Sequence, residues 1–298
     1  MTVLPSTRAL LEHAVDYAGT FPPAALSLQN AVANYARERQ GPDAWLLGRL
    51  VVPAGSLDEL DAELAQEGRV APSSSEYELS VIMSADARAQ LARVGAFNQR
   101  WRGGARIVSV EFPPAEPADI PGLVNPVDNS LETFVEVPID DHLDERLDAI
   151  SRAGAAAKVR TGGTVPAAIP TPPALARFLH SCAARDLAFK ATAGLHHALR
   201  SCYSLTYERD SSTAVMHGFV NVSVAAARAR SGASVANITE ALTESSVSAF
   251  HFGRESLVYR GSTTGLQDLA STRRLFFRSF GSCSFREPVE ELARLQLV

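Results

Sequence analysis

The sequence predicts an α/β fold, a single (β/α)8 TIM barrel, on three observations. Eight short apolar runs rich in Val, Ile and Phe alternate with longer stretches of helical period. Successive runs are mostly 22 to 33 residues apart, close to one βα repeat. No internal repeat or compositional break divides the 298 residues, so one barrel domain is expected to span 1–298.

The first strand is expected in HAVDYAG at 13–19, followed by the helix SLQNAVANYARERQ. WLLGRLVVP is the second strand and SLDELDAELAQEG its helix; YELSVIMSA is the third, with ADARAQLARVGAFNQRW after it. Gly103 and Gly104 stop that helix before the fourth strand, ARIVSVEFP. The proline-rich stretch FPPAEPADIPGLVNPVDNS then reads as a long surface loop, because the βα rhythm resumes at once with TFVEVPI and DDHLDERLDAISRAG. GAAAKVRT is the sixth strand. Thr171 caps a helix whose first turn holds Pro172 and Pro173, PPALARFLHSCAARD. LAFKATA is the seventh strand, the helices FVNVSVAAARARSG and ITEALTES follow, and VSAFHFG is expected to close the ring, with His251 near the barrel mouth.

Composition narrows the function. With 20% charged residues, a net charge of −5 and arginines interspersed with acids, the chain has no basic patch for nucleic acid. No basic leader and no run of 18 apolar residues is present, so a cytoplasmic protein without membrane association is expected. The three cysteines, Cys182, Cys202 and Cys283, form no CxxC pair and suggest neither a disulfide scaffold nor a thiolate metal site. Cys283, in FGSCSF, reads as a small packing residue.

Of 28 basic residues only two are lysine, Lys158 in AAAKVRTGG and Lys190 in LAFKATAGLHH. Alternation along the strands puts Ala156, Lys158 and Arg160 on one face and Ala188, Lys190 and Thr192 on another, so both amines are expected inside the barrel. Parallel neighbours lie about 4.8 Å apart, and two ammonium groups that close, left to repel one another and desolvated, are driven toward the neutral amine. A neutral lysine is a nucleophile toward carbonyl groups, which a guanidinium can never be. Glu136 on the fifth strand and Glu111 on the fourth are the expected proton carriers, with Asp16 on the first strand a weaker candidate. Arg160 and the amides of Gly162 and Gly163 are expected to hold an anionic part of the substrate, with His196 and His217 also contributing.

A lysine ending strand six before a Thr-Gly turn, and a second ending strand seven in a small-residue run, resemble the class I aldolases of the deoxyribose-phosphate aldolase type. The resemblance covers about 40 residues, Ala155 to Gly194. It implies a Schiff-base nucleophile at Lys158 and a role for Lys190 in lowering the pKa of that amine. The turn differs from the family's Thr-Ser-Thr-Gly, reading Val159, Arg160, Thr161, Gly162. The family's third-strand aspartate has no counterpart within YELSVIMSA, where Asp86 follows only after the strand.

The expected function is therefore a lyase or aldolase acting on a small carbonyl compound, without cofactor, and compatible with homo-oligomer formation. His196, His197 and His217 are expected not to form a metal site, since consecutive histidines point apart in extended chain. Two other readings use the same residues. One is metal-assisted enolisation through Glu111, Glu136 and Lys158; the other is a non-catalytic barrel that binds a small anion through Arg160, Arg200 and Arg254. An ion network with no function beyond holding the barrel together is the plain structural reading.

Overall fold

A computed structural model describes residues 3–66, 76–84 and 87–297; Asp86 lies outside the described residues. Eight parallel strands close into a barrel: β1 (Val15–Tyr17), β2 (Leu47–Pro53), β3 (Tyr77–Ile82), β4 (Ala105–Phe112), β5 (Glu132–Glu136), β6 (Ala156–Arg160), β7 (Phe189–Thr192) and β8 (Phe277–Ser282). Around the ring they run in sequence from β1 to β8, and β8 pairs with both β1 and β7. Helices alternate with the strands, as a (β/α)8 barrel requires.

The local chemistry behaves as its residue types dictate. Ser27 accepts from the Asn30 amide and Thr171 from the Ala174 amide, each satisfying an orphan donor in a first helical turn. Pro172 and Pro173 fill positions that need no donor. Gly103 takes a φ of +85° between helix Ala87–Arg100 and β4, a region that suits glycine. Between strands and helices the core is aromatic: Phe189 has ring centroids of Phe178, Phe276 and Phe277 at 5.4, 5.1 and 4.9 Å.

The ring does not close where the sequence suggests. VSAFHFG does contain a strand, Phe250–Phe252, but it belongs to an antiparallel sheet with Ser256–Tyr259 and Ser262–Gly265. That sheet packs against the amino-terminal helix Pro5–Leu11, where Ser6 donates to the Gly253 carbonyl, and His251 is exposed on it. The closing strand is FRSFGS, which follows a π-helical turn, Thr272–Phe276. Its alternation is disguised because the residue facing the barrel interior beside Asp16 is Ser279, which donates to that carboxylate at 2.6 Å. Phe280 stacks outward on Phe219 at 5.1 Å.

Other insertions shape the carboxyl-terminal half. A hairpin of Ser201–Ser204 and Thr213–Met216 follows β7, and helices Phe219–Arg230 and Val235–Thr243 precede the antiparallel sheet. Buried Asn221 ties them: it donates to the carbonyls of Ala241 and Glu244 and accepts from the Arg200 amide. Among the described residues no helix is long and apolar enough to cross a membrane.

Candidate active site

Three neighbouring strands present Glu136, Lys158 and Lys190 at one level: Glu136 pairs in register with Lys158, and Lys158 with Lys190. Both amines point inward and are almost wholly buried, with Lys158 3% and Lys190 1% exposed. Lys190 reaches across the interior and donates to Asp16 on β1 and Glu111 on β4, each at 2.6 Å. Lys158 is held more loosely, 3.1 Å from Glu136 and 3.4 Å from the second oxygen of Glu111. Glu111 thus bridges the lysines. It also accepts from Ser80, which in turn accepts from Ser109, both at 2.7 Å. At the rim Arg160 approaches Glu136 at 3.4 Å, with half its side chain in solvent.

This arrangement corrects one expectation. The amines are not left to repel each other: three carboxylates interleave with three cations. Burial would lower the Lys190 pKa, but Asp16 and Glu111 outweigh it and hold that amine above the ordinary lysine value. The same balance acts on Glu111. Burial would raise its pKa, yet Lys190 and Lys158 bring it down to about 2. Lys190 is therefore a fixed cation, and Glu111 a fixed anion, at neutral pH.

Above the lysines a cavity of about 460 Å³ opens at the carboxyl-terminal ends of the strands, where barrel enzymes hold their substrates. Lys158, Lys190, Glu111, Glu136, Arg160 and Gly163 all contribute to its wall. His196 and Cys283 contribute as well. Burial, with His197 next to it, brings the His196 pKa down to about 4, so its ring is neutral at physiological pH. Its Nδ1 lies 3.0 Å from Ser282 Oγ. Burial also raises the Cys283 pKa, keeping it a thiol.

Gly162 stands behind the wall instead of on it. A Cβ there would come within 2.8 Å of the Gly194 Cα, and Gly194 itself has a φ of +80°, so both glycines are needed for the turns after β6 and β7 to touch. His217 is not brought to the cavity: it is fully buried, with Nε2 2.8 Å from the Pro170 carbonyl. His197 lies 2.8 Å from Glu291 and stacks on Tyr203, so the three histidines have separate partners. Among the described residues no group of three or more His, Cys, Asp or Glu side chains is placed to hold a metal ion.

Asp16 has a larger part than the sequence suggests. It is the only acid in HAVDYAG, which was the available signal, and the structure leaves it only 1% exposed. Ser80, Ser109 and Ser279 carried a weaker one, as hydroxyls within apolar strands. The fold and this cavity define the class: a (β/α)8 barrel with a lysine-carboxylate array at the carboxyl-terminal end of its strands. No protein-family model matches the chain, and no curated protein matches it.

Proposed function

We propose that the protein is an enzyme that forms a Schiff base between Lys158 and a small aldehyde or ketone. The observation that carries this is the contrast between the two lysines. Lys190 is locked by two short charge-assisted bonds, whereas Lys158 has longer contacts, one carboxylate, Glu136, placed to take its proton, and a cavity beside it. Glu136, 3.1 Å from the amine, stands where a base must stand to take the Lys158 proton when a carbonyl compound enters the cavity.

In the proposed sequence Lys158 first gives a proton to Glu136. Its nitrogen lone pair then adds to the carbonyl carbon, and the proton that the nitrogen gives up passes to the former carbonyl oxygen, leaving a neutral carbinolamine beside the protonated Glu136. Glu136 returns a proton to the departing hydroxyl, water leaves, and a cationic iminium remains beside Glu111. That carboxylate, ionised down to about pH 2, supplies a standing negative charge next to the developing cation. The iminium withdraws electrons from the adjacent carbon, so a C–C or C–H bond there can break. Aldolase or related lyase chemistry follows.

Metal-assisted enolisation fits the donor set less well. Glu111 spends its oxygens on Lys158, Lys190 and Ser80, and Glu136 is shared by Lys158 and Arg160. Incubation with a panel of aldehydes and ketones under borohydride, followed by peptide mass spectrometry, tests the proposal. A reduced adduct on Lys158 is expected. An adduct on Lys190 alone, or none with a compound shown to be turned over, refutes it.

A further inference from the structure

A second cavity, of about 730 Å³, lies at the other end of the barrel. Its described walls come from the amino-terminal ends of strands: His13 before β1, Leu47 to Arg49 in β2, Glu76 and Glu78 around the start of β3, and Arg273, Arg274 and Arg278 around the start of β8. Arg39 joins them, so five guanidinium groups face three carboxylates, Asp16, Glu76 and Glu78. One of these carboxylates, Asp16, already serves Lys190.

The charges there are unequally served. Arg49 and Arg278 share Glu132, at 2.7 and 3.0 Å. Arg273 donates to the His13 carbonyl, a neutral partner, while its buried Nε has no partner among the described residues. Burial brings its pKa down to about 10, with Arg49 and Arg278 pushing the same way and Asp16 and Glu132 offsetting only part of the effect. A second buried donor, Arg49 Nη1, is likewise unpartnered among the described residues. Buried guanidinium donors normally have acceptors, and leaving them empty is costly. The wide turn Thr272–Phe276 is what brings Arg273 and Arg274 to this position.

We infer that this end of the barrel binds a small multiply charged oxyanion, carrying phosphoryl or carboxylate groups, through Arg49, Arg273 and Arg274. Planar guanidinium forks suit either group, since both present paired oxygens. The site is independent of the Schiff-base reading. Its one link to the lysines is Asp16, whose Oδ1 accepts from the Arg49 amide at 3.0 Å and whose Oδ2 accepts from Lys190.

Isothermal titration calorimetry on the full chain at low ionic strength tests this, with inorganic pyrophosphate and citrate as probes. One-site binding of at least one probe is expected, weakened at least tenfold in Arg273→Gln and retained in Arg160→Gln at the opposite end. The preferred probe tells phosphoryl from carboxylate ligands. Thermal melts by circular dichroism establish that each variant is folded; should Arg273→Gln not fold, the exposed Arg274→Gln provides the same comparison. No binding of either probe at millimolar concentration overturns the inference. So does binding that survives in the arginine variants of this cavity but is lost in Arg160→Gln.

Discussion

Replacing Glu111 by glutamine tests the electrostatics of the site without requiring a substrate. The carboxylate is fully buried and, between Lys158 and Lys190, titrates at about 2 instead of the ordinary 4.5. A folded-state pKa below the unfolded one stabilises the protein fully above the unfolded value, and the benefit is lost as pH falls through the folded value. The shift amounts to ~3 kcal/mol at neutral pH. At about pH 3 the group still retains about 1 kcal/mol, so the wild type should lose about 2 kcal/mol from this residue alone between about pH 6 and about pH 3. Glu111→Gln preserves the shape but has no proton to gain. Its unfolding free energy, measured in urea across that range, should therefore fall by about 2 kcal/mol less than that of the wild type. The variant should start lower at neutral pH, because both lysines lose a partner. Parallel pH profiles for the two proteins would show that Glu111 is not held ionised by the lysines, and would remove the basis for treating it as a standing anion.

Lys158→Arg should abolish borohydride trapping while the protein still folds, since a guanidinium can keep the contacts to Glu136 but cannot add to a carbonyl. Lys190→Met should cost about 3–5 kcal/mol in a denaturation experiment, as it leaves Asp16 and Glu111 buried without their cation. Gly194→Ala should lower stability by about 1–3 kcal/mol from backbone strain, more if the contact with Gly162 cannot relax, and a thermal melt reads it directly. Asn221→Ala should cost about 2–4 kcal/mol, since three buried backbone partners lose their bonds at once.

The strands that carry the two lysines were legible because apolar runs with one outlying charge are rare, and a period of two decides which way that charge points. Seven of the eight barrel strands were found on this basis. The eighth was not, because β-propensity responds to aromatic and branched residues wherever they pair. Phe250 and Phe252 pair in a peripheral meander. The strand closing the ring has Arg278, Ser279 and Gly281 in its place, residues chosen by what stands opposite them, above all Asp16. The same distinction explains the electrostatic correction. Proximity of two lysines on adjacent strands is a local inference, whereas the reach of Lys190 across the barrel to Asp16 and Glu111 depends on pairings 174 and 79 residues apart. The helices Pro5–Leu11 and Leu266–Ser271 were missed because seven and six residues are too few to show a period.

The late position of β8 has a consequence for how the molecule comes to exist. A growing chain acquires β1 to β7, both lysines and all three site carboxylates before the closing strand has been synthesised. Until it arrives, β1 and β7 remain open edges, able to pair with another chain. The hydrogen bond from Ser279 to Asp16 spans 263 residues, a contact of the slow-forming, non-local kind. The Asp16 carboxylate gains its bond from Ser279, and β1 its second parallel neighbour, only with that strand in place between the first and the seventh. Closure of the barrel and completion of the contacts to Asp16 therefore coincide, and a chain cut short before β8 carries both lysines and all three carboxylates but neither Ser279 nor Cys283.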